Sequence, residues 1–186
     1  MEAKINNEAA QQKTSAAYDF LEMLVFVVCF ILILFSFFVR QTVVDGGSMD
    51  DTLANGERLL VSDLFYTPER GDIIVFQSYE THRAYPLVKR VIAVGGDTVC
   101  VMPDGVYVNG KREDYGYISV PEYSYTNNIA VKIGIEYIVP AGKVFVLGDH
   151  RNNSADSREF GFVDERTILG KVFLRITPLS RFGSVE

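Results

Sequence analysis

Cysteine is nearly absent from this chain: its 186 residues hold two, Cys29 and Cys100. Cys29 lies inside an apolar run and Cys100 in the remainder, so no disulfide can staple the globular part, and the redox compartment stays open. Histidine is as scarce, also two. Neither the spacing nor the types of these four residues make a metal site, and a mechanism free of metal and cofactor is the expectation. No run of basic residues occurs, and a net charge of -6 with a pI near 5.0 argues against nucleic acid as a partner. Internal repeats and low-complexity tracts are missing too, and no long amphipathic helical period follows residue 40.

What the chain does have is hydrophobicity, 48% of residues, with a mean hydropathy of +0.11 despite 23% charged side chains. The excess sits in Leu21–Val39, LEMLVFVVCFILILFSFFV, nineteen residues interrupted by Glu22 at the edge. That is the length needed to cross a hydrocarbon core, and residues 20–39 are expected to form one transmembrane helix. A cleaved leader fits less well: the run is too long, about twenty residues precede it, and no small-x-small site follows Val39. Lys4 and Lys13 before the run against Arg40 after it leave the Lys/Arg asymmetry flat, so charge does not fix sidedness. Residues 1–19 read as a short, poorly ordered polar arm.

Residues 40–186 are enough for one domain with a real core. Short β-rich runs recur there: Arg58–Val61, Asp72–Phe76, Leu87–Val94, Thr98–Met102, Val106–Val108, Lys143–Leu147 and Lys171–Ile176. Turn residues separate them, including Arg70-Gly71-Asp72, Gly95-Gly96-Asp97, Pro103-Asp104-Gly105 and Asn109-Gly110. This pattern reads as an all-β domain, so the expected fold class is mainly β. Residues 97–143 read as a small inserted lobe, and Tyr115, Tyr117, Tyr123 and Tyr125 within it as a half-buried β face rather than an interaction surface.

Two short segments carry the chemistry. In Val44-Asp45-Gly46-Gly47-Ser48-Met49 a serine follows two glycines, which permit a tight turn and a close approach of a substrate carbonyl to main-chain N–H groups. In Leu87-Val88-Lys89-Arg90-Val91 a lysine lies inside an apolar strand, alternating with Leu87 and Val91 on one face. A serine hydroxyl needs a base, and a lysine serves only when desolvation favours its neutral amine. Lys89 fits that role; Arg90 beside it reads as the residue that reaches out to solvent. A third cluster, Leu147 to Arg158, is dense in hydrogen-bonding groups. There Asp156 and Arg158 are spaced to pair across a turn, and the Ser154 hydroxyl is able to orient an amine.

In this order, after one N-terminal apolar helix, the three clusters closely resemble bacterial type I signal peptidases, Ser-Lys endopeptidases that remove signal peptides from exported preproteins. The family's serine box is similar to Gly47-Ser48-Met49-Asp50-Asp51-Thr52-Leu53, and a second box to Arg70-Gly71-Asp72-Ile73. Its lysine box is similar to Lys89-Arg90-Val91 with Gly95-Gly96-Asp97 beyond, and its last box to Gly148-Asp149 through Asn153-Ser154-Ala155-Asp156-Ser157-Arg158. The resemblance implies Ser48 as nucleophile, Lys89 as general base, Ser154 as the hydroxyl that positions the amine, and Asp156 and Arg158 as a supporting ion pair. It implies an oxyanion hole built on the Ser48 N–H; some members add a side-chain hydroxyl two residues earlier, where this chain has Gly46. It further implies a mostly antiparallel β catalytic core with a small inserted lobe, in a single-anchor form like that of Gram-positive members, with the catalytic domain outside the cytoplasm, at the cell membrane and near the export channel. Its expected partners are signal peptides and the lipid bilayer, with cleavage of the Ala-x-Ala type. Met49, Leu53 and Val88 flank the dyad and are candidates for the substrate pocket. Asp51 stands where the family usually has proline, a change that touches loop rigidity but removes no catalytic group.

The same residues argue against three other readings. A non-enzymatic scaffold on this fold would have lost the dyad, which is present here. A Ser-His hydrolase would need His82 or His150 as base, and no such constellation is apparent. A self-cleaving repressor would need a DNA-binding module, and none is present.

Overall fold

The structure, a computed structural model, describes residues 2–50, 52–77, 85–113 and 130–185. It divides into two units, 1–38 and 39–186. The first is a single helix, α1 (Glu2–Phe38). It begins well before the apolar run, so the arm expected to be poorly ordered is helical; Glu2, Ala3, Lys4 and the Ala9-Ala10-Gln11-Gln12-Lys13 stretch are good helix formers. It ends one residue earlier than expected, because Val39 starts a strand. Every side chain from Tyr18 to Ile33 is exposed. Among the described residues no helix is long and apolar enough to cross a membrane.

The second unit is built from antiparallel strands: β1 (Val39–Val43), β2 (Arg58–Ser62), β3 (Ile73–Phe76), β4 (Leu87–Val94), β5 (Thr98–Met102), β6 (Gly105–Val108), β7 (Lys111–Arg112), β8 (Glu136–Ile138), β9 (Lys143–Leu147), β10 (Val163–Asp164) and β11 (Ile168–Thr177). One sheet has the order β1-β2-β11-β3-β4-β9-β10, and a second the order β7-β6-β5-β8. In sequence the second sheet falls between β4 and β9 of the first. The tyrosines at 115, 117, 123 and 125 lie outside the described residues.

Strand β4 organises the larger sheet. It is central, between β3 and β9, and seven of its eight residues are buried. Both its faces are covered, and apart from Lys89 and Arg90 its residues are apolar. Val88 joins a cluster with Val44, Met49, Leu53, Leu59, Val61, Ile73, Val75 and Val172. Leu87 and Val91 pack with Ile74, Phe76, Val144, Val146 and Val163. Ile92 and Ala93 meet Val99, Val101, Val106 and Val108 from the second sheet. Each fully buried Val, Leu or Ile contributes about 1.5–3 kcal/mol, so the strand that carries Lys89 is held from three sides.

Candidate active site

The loop from Val44 to Glu57 connects two paired strands and is closed at its neck by Val44 N–H to Glu57 O and Gly56 N–H to Val44 O, both 2.9 Å. Gly46 takes φ of +89°, a left-handed conformation that favours glycine, and donates its N–H to Asn55 Oδ1 at 3.0 Å. Beyond Ser48 the chain makes one tight turn, with Leu53 N–H to Met49 O at 2.7 Å. Met49 and Leu53 plug that turn into the core, at 1% and 0% exposure. Arg175 and Arg181 reach from the end of β11 to donate to Thr52 O at 3.0 and 3.1 Å, and both pair with the buried Glu57.

Within this frame Lys89 Nζ lies 2.6 Å from Ser48 Oγ. Lys89 is buried, at 3% exposure. Both residues line one cleft of about 340 Å³, with Val44, Asp45, Gly46, Gly47, Met49, Pro86, Leu87, Val88, Asn153, Ser154 and Ala155. Of the expected pocket residues Met49 and Val88 therefore reach the cleft, whereas Leu53 does not; it is spent in the core beneath the loop. Val44, Pro86, Leu87 and Ala155 supply apolar wall that sequence reasoning missed, since only the meeting of the serine loop, the start of β4 and the loop after β9 turns them to one cleft.

The loop after β9 closes the site from the other side. Gly148 has no room for a side chain, because a Cβ there would press on the Ser48 carbonyl and the Ser154 hydroxyl. Its N–H donates to Asp156 Oδ2 at 3.1 Å. Arg158 grips both oxygens of Asp156, at 2.8 Å each, and donates to Arg151 O at 2.7 Å. Asp156 also caps the one-turn helix α2 (Ser157–Phe160). The pairing expected across this turn is thus buried and doubly bonded. Ser154 lies in the cleft wall, but its buried hydroxyl has no hydrogen-bond partner among the described residues, so its expected contact with Lys89 is not made in this structure.

Arg90 departs furthest from expectation. It is 1% exposed, and its guanidinium donates to both carboxylate oxygens of Asp149, at 2.9 and 2.8 Å, and to Gly71 O at 2.7 Å. Thr52 Oγ1 donates to the same carboxylate at 2.6 Å. One buried cluster therefore joins the serine loop, the lysine strand, the Arg70-Gly71-Asp72 turn and the loop after β9. An arginine within an apolar strand, matched by a lone aspartate 59 residues later, is the signal that could have found it: such a charge is rarely buried without a partner. Asp72 is tied separately to Tyr66 and Lys171, and burial beside that carboxylate pushes the Tyr66 hydroxyl well above its usual range. No group of three or more potential metal ligands gathers among the described residues. His82 and Asp51 lie outside them.

A serine and a buried lysine thus meet in one cleft of a mainly β domain. Residues 17–177 match the family model described as signal peptidase, peptidase S26. Signal peptidase IB of Staphylococcus aureus (strain Mu50) is 36% identical over 180 residues, covering 88% of this chain and 93% of that protein. A probable signal peptidase I-2 of Synechocystis (strain PCC 6803) is 38% identical over 156 residues, covering 80% and 67%. A crystal structure of signal peptidase I from Enterococcus faecalis V583 shares 31% identity and a TM-score of 0.43, covering 57% of this chain and 97% of that one. The chain belongs to the signal peptidase family, peptidase S26, as a serine hydrolase of the bacterial type I class.

Proposed function

We propose that this chain is a membrane-anchored endopeptidase that removes N-terminal signal peptides from exported preproteins, after small residues of the Ala-x-Ala type, with Ser48 and Lys89 as its catalytic dyad. The observation that carries this reading is the 2.6 Å contact between Lys89 Nζ and Ser48 Oγ inside the cleft. Burial disfavours a charged amine, and a neutral one accepts the serine proton. Ser48 Oγ then attacks the scissile carbonyl carbon, and the tetrahedral intermediate collapses as Lys89 returns the proton to the departing amine. Water attacks the resulting ester, giving a proton to Lys89, and Ser48 takes it back as the acid leaves. The apolar walls from Val44, Met49, Leu87, Val88 and Ala155 suit small side chains near the scissile bond. By resemblance, Ser154 positions the amine; a turn about its Cα–Cβ bond would redirect its unpartnered hydroxyl.

Anchorage is supported by the nineteen-residue apolar run and by the exposed apolar side chains of α1, from Phe20 to Ile33. An enzyme and a preprotein held on one membrane meet at raised effective concentration. The domain is then extracytoplasmic, where the preprotein emerges.

The test is cleavage of an Ala-x-Ala signal-peptide substrate by the detergent-solubilised full chain, beside Ser48→Ala and Lys89→Ala proteins checked for native circular dichroism. Each substitution should lower kcat by about 10⁴-fold or more. In the unsubstituted enzyme kcat/KM should rise with pH as the lysine loses its proton. Turnover retained in either variant removes that residue from the dyad.

A further inference from the structure

Two carbonyls flank the nucleophile, and one residue holds both. His150 donates its main-chain N–H to Ser48 O at 3.1 Å, and its ring nitrogen Nδ1 lies 3.2 Å from Gly47 O. A carbonyl only accepts, so this contact assigns the ring proton to Nδ1. Asp50 Oδ2, 3.6 Å from the same nitrogen, favours that proton from the side. The Asp50 N–H also bonds Gly47 O, at 3.2 Å.

Gly47 O and the Ser48 N–H belong to one trans peptide and point in opposite directions. Gly47 and Ser48 line the cleft, whereas His150 is not part of its wall. A carbonyl turned back toward His150 therefore turns the Ser48 N–H forward, to the side where a substrate oxygen arrives. No hydrogen bond within the chain engages that N–H among the described residues. Gly46 offers no hydroxyl to share the load, so the aim of this one donor matters more than it would beside a second.

We propose that His150 is a positioning residue for the oxyanion site, fixing the Gly47–Ser48 peptide so that the Ser48 N–H meets the developing negative charge. It is not the base: its protonated nitrogen is committed to Gly47 O, and Lys89 holds Ser48 Oγ. His150 is itself held, since its carbonyl accepts from Asn153 N–H at 2.9 Å and Gly148 before it is pinned to Asp156. The inference rests on the peptidase reading above, and its test separates the two.

His150→Phe keeps a ring but no donor, His150→Ala removes both, and His150→Asn restores a short N–H donor. Steady-state cleavage by the full chain in detergent should show kcat down about tenfold to a hundredfold in the Phe and Ala proteins with KM nearly unchanged, and largely recovered in the Asn protein. In parallel, the Ser48 amide resonance of ¹⁵N-serine-labelled protein, assigned by its disappearance in Ser48→Ala, should move in Phe and Ala and return toward its original position in Asn. Equal losses in all three variants, or full kcat in the Phe protein, overturn the positioning role. If the unsubstituted chain cleaves nothing, the peptidase reading fails, and the amide resonance alone decides whether His150 sets the Ser48 peptide; an unmoved resonance overturns it.

Discussion

Asp156-Ser157-Arg158 and Asp164-Glu165-Arg166 are one local device built twice. In each, the aspartate caps a short helical turn by accepting the arginine N–H, at 3.3 and 3.0 Å, and the guanidinium folds back to grip both carboxylate oxygens at 2.7–2.9 Å. Burial separates them. The side chains of Arg158 and Asp156 are 6% and 0% exposed, those of Arg166 and Asp164 89% and 27%. The buried aspartate also accepts Gly148 N–H, and the buried arginine also donates to Arg151 O, so that pair ties the end of β9 to the loop behind Ser48. The exposed pair closes its own turn. The same tripeptide pattern thus gives a buried strut of the candidate site in one place and a solvated cap in another, and what differs is the tertiary surroundings.

That contrast is broken most severely by taking away one partner. Asp156→Ala leaves a buried guanidinium without its counter-charge and should cost about 3–5 kcal/mol, read as a lower denaturation midpoint of the full chain in detergent. A loss no larger than that of Asp164→Ala would show that burial does not distinguish the pairs. Arg158→Lys is a milder break: it keeps the charge but not the two-pronged grip, and should cost about 1.5–3 kcal/mol. Arg166→Lys, in the exposed copy, should leave the midpoint where it is. Thr52→Val tests the other buried cluster by removing the hydroxyl bond to Asp149 at nearly constant volume. It should cost about 1 kcal/mol and lower kcat more than it raises KM, because that bond ties the serine loop to Asp149, which also holds Arg90 of the lysine strand. An unchanged kcat would mean that Arg175, Arg181 and the apolar plugs hold the loop unaided.

The same division between local and tertiary information separates what could be read from the chain and what could not. The mainly β class and the bounds of β4, β5 and β9 were legible because an apolar run ended by turn residues is a local signal. Strand β1 was not. Its Arg40-Gln41-Thr42 centre is polar, it follows the apolar run without a break, and it is an edge strand made by pairing with β2. Strand β8 and helix α2, three and four residues long, are too short to show a period. Ser48 and Lys89 could be singled out by residue chemistry, a serine after glycines and an amine among apolar side chains. The Thr52–Asp149–Arg90 cluster could not, since its members are 97 and 59 residues apart and meet only through the sheet register. Arg90 accordingly reads as a solvent-reaching residue from the chain alone, yet is buried in the fold. Of the cleft wall, Met49 and Val88 were legible as neighbours of Ser48 and Lys89, but Leu53 follows the same logic and packs in the core.

The smallest effect sharpens the contrast from the exposed side. The Arg166 guanidinium and N–H hold the Asp164 carboxyl well below the usual carboxylate range. A folded-state value lowered in this way stabilises the fold above the unfolded-state pKa, near about 3.9, and that contribution is lost as pH falls through the folded value. Because the pair is solvated, the contribution is small and screened. Asp164→Asn should therefore match the unsubstituted chain in high salt at neutral pH and fall slightly below it in low salt. The low-salt gap should hold down to about pH 5 and close progressively below about pH 4, where the unfolded chain binds a proton that the folded carboxylate refuses. Denaturation midpoints across that range check it. A gap that widens toward low pH has the wrong sign for a depressed carboxylate, and one that persists in high salt would mean Asp164 does more than close its own turn.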